Sequence, residues 1–308
     1  MKYVFIVNPV AGKDKVALSI VPKVTRLLKE KGIQYSVEAT QYPGHASLLV
    51  QKYAEQNEEM YIYACGGDGT LNEVVNGAYG YKNVAVGCIP CGTGNDFVRS
   101  LGTERDFLSA KSILDVKEMV IDLMKTPDGI AMNICSAGID AAVAHRVPKY
   151  KKVPFIKGET AYKLSVVENL LRRLGHEITI QVDEETFYGE FLLVAIANGT
   201  TYGGGFIAAP FADLKDGKLE IILIKKMPLT RIAKVLSQYQ KGEHFTGREV
   251  ADNLKDVVVH RTAGKVAICG ATPFIVNADG ETYPRVDYEV SVIPNAMRFL
   301  IPEVLEEK

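Results

Sequence analysis

The chain has 308 residues, 47% of them hydrophobic and 24% charged, with a formal net charge of −1. That length exceeds what one hydrophobic core usually organises, so two domains are expected, and the apolar content fills both cores without disulfides or structural metals. The near-neutral charge excludes a nucleic-acid binder, which needs excess Lys and Arg to neutralise phosphates, and no apolar run reaches the ~18 residues that cross a membrane.

The first apolar run, Val4 to Val7, stops at Asn8-Pro9, too early for a signal peptide, and is expected to be a buried first strand. A helix follows over 15–31, with Val16, Ile20, Val24, Leu27 and Leu28 at helical spacing and Gly32 as its stop. The alternation then continues: strand 34–39, helix 45–56, strand 61–65, helix 70–79, strand 84–89 and a helix from 95 to 101. Strands alternating with helices predict a parallel sheet covered by helices over residues 1–122.

Beyond about residue 120 short β-rich runs dominate, at 130–135, 178–182, 191–196, 219–224, 257–260, 266–269, 274–276 and 288–293. Turn signals such as Asp183-Glu184-Glu185, Asp216-Gly217 and Asp279-Gly280 separate some of them. Residues 123–295 are therefore expected to form an antiparallel β-sandwich, interrupted by helices over 160–174 and 229–240. The tail 296–308 is expected to return to the first domain.

Three strand exits in the first domain carry glycines. Gly66-Gly67-Asp68-Gly69-Thr70 follows the strand 61–65, Pro90-Cys91-Gly92-Thr93-Gly94-Asn95-Asp96-Phe97 follows 84–89, and Asn8-Pro9-Val10-Ala11-Gly12-Lys13 follows the first. Glycines let the chain turn sharply and let phosphate oxygens approach backbone N–H groups, and a helix N-terminus adds a favourable dipole. Thr70-Leu71-Asn72-Glu73 fits a capping box. Any one of these is equally a plain strand-to-helix turn, but ligands of open α/β sheets bind at the carboxyl ends of the strands, and three such exits together point to a phosphate site. No segment matches the P-loop or an opening GxGxxG. Asp68, between two glycines, is placed to reach a metal or a reacting hydroxyl.

The remaining features carry plain readings beside sharper ones. Cys88-Ile89-Pro90-Cys91 is a CxxC without a second pair, so Cys88 and Cys91 read as small buried hydrophobes rather than a redox or zinc site. The odd count of five scattered cysteines fits reduced thiols in the cytoplasm. His45 follows Gly44 at a helix start and reads as a surface histidine before a phosphate ligand. Arg146, Lys149, Lys151, Lys152 and Lys157 form an acid-free basic stretch, read as a solvated loop or a contact for anionic lipid, with Arg172 and Arg173 adding to it if the next helix folds back.

GGDGTLNEVVNG (66–77) together with PCGTGNDF (90–97) resembles the diacylglycerol kinase catalytic-domain family, nearest its soluble bacterial, diacylglycerol kinase B-like branch; sphingosine and ceramide kinases share the core. The likeness covers nearly the whole chain, including Thr40 to Ala46 (TQYPGHA), Asn198-Gly199, Gly203-Gly204-Gly205, Asp216-Gly217-Lys218-Leu219 and Asp279-Gly280-Glu281. It implies an α/β nucleotide domain plus an all-β sandwich domain, with the active site in the cleft between them. It implies ATP in contact with Asn8, Pro9, Gly12, Thr40, Gly66, Gly67, Asp68, Gly69, Thr70, Asn72, Gly92, Thr93, Gly94 and Asn95. It implies Mg²⁺ held by the Asp216 side chain and the backbone carbonyls of Asp213 and Lys218. Glu281 is implied as general base, with Asp279 and Asp68 as competitors. A carboxylate can accept the proton of a lipid hydroxyl as it attacks phosphorus, and the rest of phosphoryl transfer is positioning and charge neutralisation.

The expected function is transfer of the γ-phosphate of ATP to a lipid hydroxyl, diacylglycerol first. A NAD kinase or other small-molecule kinase and a non-catalytic nucleotide-binding module are the alternatives. The partners expected are a lipid at a membrane surface and a second copy of the chain in a homodimer, with no nucleic acid.

Overall fold

The structure, a computed structural model, describes residues 1–12, 16–151 and 176–303. The first domain runs β1 (Lys2–Val7), α1 (Val16–Glu30), β2 (Tyr35–Ala39), α2 (His45–Ala54), β3 (Met60–Gly66), α3 (Asp68–Ala78), β4 (Val84–Pro90), the single turn α4 (Asp96–Arg99) and α5 (Ala110–Leu114). β1 pairs in parallel with β2 and β3, and β3 with β4. Parallel strands joined by helices must bury both faces, and β1 shows how. Val4 and Ile6 pack with Val50, Val74 and Phe97 on one side, while Tyr3, Phe5 and Val7 pack with Val24, Leu28 and Tyr63 on the other.

β5 (Val116–Thr126) runs straight through residue 122, where the change of texture set the domain boundary. After it come β6 (Gly129–Ala131), β7 (Ile134–Gly138), α6 (Ile139–Lys151), β8 (His176–Val182), β9 (Glu185–Ala197), the short pair β10 (Thr201–Tyr202) and β11 (Phe206–Ile207), and β12 (Leu219–Lys225). The chain continues through α7 (Leu229–Gln240), the short pair β13 (Phe245–Thr246) and β14 (Glu249–Val250), β15 (Val258–Ala263), β16 (Lys265–Ala278) and β17 (Glu281–Pro302). The order β15-β12-β9-β7-β16-β17 is antiparallel throughout. β8 stands in line with β7 in the column between β9 and β16.

The 22-residue β17 joins the halves. Its first part pairs with β16, its second with β5, and Arg298 and Phe299 lie parallel to Ala85 and Val86 of β4. At its end Glu303 N donates to Asp115 O at 3.1 Å. Phe299 is fully buried there against Phe97, ring centroids 5.2 Å apart, and burying one such side chain stabilises by roughly 1.5–3 kcal/mol.

The second domain is not all-β. α7 matches the expected helix, but α6 was not expected: the basic stretch from Arg146 was read as a loop, and the backbone is helical from Ile139 through Lys151. The rest of the basic stretch, Lys152 and Lys157, and the expected helix over 160–174 with Arg172 and Arg173 lie outside the described residues. The stretches 266–269 and 274–276 belong to one strand, β16, whose register with β17 shifts between Cys269 and Phe274.

Candidate active site

The three glycine-bearing exits meet. Cys91 N donates to Gly66 O at 2.7 Å, and Asn8 Nδ2 donates to Thr70 Oγ1 at 3.1 Å. Two contacts need glycine: a Cβ on Gly12 (φ +73°) would lie 2.0 Å from the Cys91 carbonyl oxygen, and one on Gly92 would lie 2.4 Å from Gly67 Cα. The backbones touch where any side chain would hold them apart.

α3 begins at Asp68, with Gly67 as N-cap three residues before the Thr70 of the capping-box reading, and no side chain caps it. Gly69 and Thr70 therefore lie in its first turn. Glu73 serves a different helix: its Oε1 and Oε2 accept from Gly44 N (2.8 Å) and Ala46 N (3.1 Å) at the start of α2. Asp68 Oδ1 accepts from Phe97 N at 3.3 Å, which ties the two main turns together. Asn95 (φ 50°) is the N-cap of α4, but its side chain folds back, accepting from Gly92 N at 2.9 Å and donating to Glu104 at 3.1 Å. Gly94 O accepts from Arg99, and Thr93 is exposed at the tip of the turn. Thr40, just past β2, donates its N–H to Val7 O at 2.9 Å beside exposed Pro9.

From this cluster the path to the second domain runs along α3. Asp68 and Asn72 are four residues apart and share one helix face. Asn72 Nδ2 donates to Asp279 Oδ2 at 3.0 Å. Asp279 also accepts from the backbone N–H of Met132 (2.6 Å), Asn133 (3.0 Å) and Ile134 (3.0 Å). Burial raises its pKa against the pull of those four donors. With two donors on each oxygen, the carboxylate has no lone pair left to take a substrate proton. Asp279 and Gly280 do make the turn that their dipeptide signalled, at φ 48° and 98°. Glu281, the first residue of β17, pairs through its backbone with Ala278, and its exposed side chain makes no hydrogen bond or ion pair among the described residues.

A second bridge joins Asp96 to the glycine hairpin: Gly204 N donates to Asp96 Oδ2 at 2.7 Å. Burial raises the Asp96 pKa, and the nearby Asp68 charge adds to it. The neighbouring Tyr202 donates its hydroxyl to Asp140 Oδ2 at 2.9 Å, at the start of α6. Burial lifts Asp140 to about 6 although Ala141 N–H and the Tyr202 hydroxyl both donate to it.

Asp213 and Asp216 lie on the loop before β12. Asp216 Oδ1 accepts from Lys218 N at 2.9 Å, and Asp213 Oδ1 from Lys215 N at 3.1 Å. Burial and the charges of Asp213 and Glu220 raise the Asp216 pKa. No group of three or more His, Cys, Asp or Glu side chains gathers as a metal cluster among the described residues. The Asp216 carboxylate is the kind of oxygen ligand that a hard cation takes. Sequence reasoning missed the residue that holds this loop. Fully buried Asp122 accepts from Gly217 N and Asn295 N, each at 2.7 Å, and donates its own N–H to Leu214 O. A lone acid inside the apolar run Met119 to Met124 was the available signal.

His45 Nδ1 accepts from Gln41 N at 3.1 Å and its ring stacks on Tyr42. Cys88 and Cys91 are buried free thiols, Cys91 pushed up to about 11 by burial.

Residues 2–126 match the diacylglycerol kinase catalytic domain, and residues 133–301 match the YegS C-terminal NAD kinase beta sandwich-like domain. A diacylglycerol kinase of Staphylococcus saprophyticus is 32% identical over 278 residues, covering 90% of this chain and 87% of that one. The chain belongs to the diacylglycerol kinase family. The Bacillus subtilis diacylglycerol kinase is 29% identical over 279 residues, covering 90% and 88% of the two chains. The two-domain fold recurs in a crystal structure of a diacylglycerol kinase from Bacillus anthracis, with a TM-score of 0.70 at 20% identity over 99% of this chain and 98% of that one. A further structure from the same organism gives 0.74 at 24% identity, again over 99% and 98%. This family assignment agrees with the resemblance carried by the two glycine motifs.

Proposed function

We propose that the protein is an ATP-dependent lipid kinase that phosphorylates diacylglycerol in the cleft between its two domains. One observation carries the reading. The interlocked glycine turns around Asp68 connect, through Asn72 and Asp279, to an exposed carboxylate at Glu281.

In this reading the N–H groups of the turns at Gly12, Gly66 to Gly69 and Gly92 to Asn95 hold the triphosphate, helped by the N-terminus of α3. The lipid hydroxyl oxygen attacks the γ-phosphorus, the bond to the β,γ-bridging oxygen breaks, and ADP leaves. Glu281 accepts the hydroxyl proton; such a base contributes about 10²–10⁴ in rate. Asp279 sets the position of Glu281 and leaves the proton to it. Asp68 stays on the donor side, where it fixes the second turn through Phe97 N–H. Asp216, with the carbonyls of Asp213 and Lys218, would hold Mg²⁺, which when bound supplies positive charge against the phosphates. ATP as donor and free thiols support a cytoplasmic enzyme that meets its lipid at a membrane surface.

The test is γ-labelled ATP with purified protein and vesicles containing diacylglycerol, sphingosine or ceramide, with NAD in a parallel reaction. Label in phosphatidic acid is expected. Label only in a sphingolipid moves the acceptor within the family, and label only in NAD overturns the lipid reading.

A further inference from the structure

The geometry points to Tyr42, stacked on His45, as the platform for the purine ring of the nucleotide, at the exit of β2. The inference rests on the nucleotide reading above and extends it to the base.

β2 is the edge of the parallel sheet, with β1 between it and β3. The phosphate turn leaves β3, so the β2 exit lies two strands away, about 10 Å. A nucleotide with its phosphates over Gly66 to Asp68 can direct its base along this row of exits in that direction. Residues 41–44 are all exposed there, and Tyr42 keeps 54% of its surface free. Its ring lies 4.6 Å from that of His45 at an interplanar angle of 15°. Leu48, three residues after His45 on the same helix, is equally exposed.

A single exposed aromatic residue is ordinary. This one is held in place. Glu73 takes Gly44 N and Ala46 N on its two oxygens, and Ser47 Oγ donates to Glu73 O at 2.6 Å. Gln41 N donates to His45 Nδ1, so a neutral ring carries its proton on Nε2 as an outward donor. Glu73 lies five residues after Asp68 on α3, about 7.5 Å along the axis. The helix whose N-terminus faces the phosphates therefore also fixes the loop that presents the aromatic pair. A rigid aromatic face on the site's own helix suits a flat heteroaromatic ring, which stacks without loop ordering at the moment of binding.

The experiment is calorimetry of the full chain, in magnesium buffer, with two probes: ADP, and pyrophosphate, which has no base. Tyr42→Ala is expected to weaken ADP about 10-fold and leave pyrophosphate unchanged, while Tyr42→Phe keeps ADP within about twofold. Unchanged ADP affinity in Tyr42→Ala, or an equal loss of both probes, overturns the platform. Wild-type protein that binds neither probe overturns the nucleotide reading itself, and the base site with it.

Discussion

The Asn72 side-chain amide and the Asp279 carboxylate meet at 3.0 Å although 207 positions separate them in the chain. Asn72 stands one helical turn beyond Asp68, and Asp279 two residues before Glu281. That contact, with the backbone donors of residues 132–134, sets the hairpin tip of the second domain against helix α3 of the first.

Asp279→Ala should therefore cost stability as well as turnover. It leaves the N–H groups of Met132, Asn133 and Ile134 without their acceptor, at a cost of about 3 kcal/mol or more. The melting temperature should fall by several degrees and kcat with it, in paired thermal and kinetic measurements. A variant with wild-type melting would contradict the structural role given to this acid.

Gly12→Ala should act on the nucleotide side. Its Cβ would press on the Cys91 carbonyl at a position with φ +73°, so the first turn must shift. The expected result is a KM for ATP raised about 10-fold or more, a stability loss of about 1–3 kcal/mol and an unchanged KM for lipid. Steady-state kinetics with each substrate varied in turn checks this, and a selective effect on the lipid KM would contradict it.

Asp140 gives a dependence on pH. Its folded value of about 6 lies above an unfolded value of about 3.9. The native state thus holds more protons between these values, and this group's contribution declines as pH rises from about 4 to about 6, by at most about 3 kcal/mol. Asp140→Asn keeps an acceptor for Tyr202 and loses the titration. Urea unfolding at several pH values should show a flatter profile across that window for the variant, and parallel profiles would contradict it.

The parallel half was legible because its central strands are buried on both faces, so Met60–Gly66 and Val84–Pro90 read as apolar runs that lead into glycine-bearing turns. Glycine spacing marked the turns, but their mutual contact is tertiary: nothing local shows that Gly12 lies under Cys91. Dipeptide chemistry likewise marked Asp279-Gly280 as a turn and was silent on where the carboxylate goes. Thr70 and Glu73 carried the spacing of a capping box, yet Glu73 caps α2 because that helix, packed alongside, presents free N–H groups to it. α6 was hidden because Pro148 and its basic residues interrupt the sequence signal of a helix that packs over the sheet. Asp122 shows the opposite case, a lone acid in an apolar run that pointed to a buried anchor and received no reading of its own.

The central claim is that Glu281 takes the proton from an acceptor whose phosphate donor lies on the glycine turns. Glu281→Gln tests it when labelled phosphate transfer to diacylglycerol and calorimetric ADP affinity are measured on the same preparation. The account predicts a fall in kcat of about 10²-fold or more with ADP affinity and melting temperature unchanged. Turnover within a few-fold of wild type would contradict it.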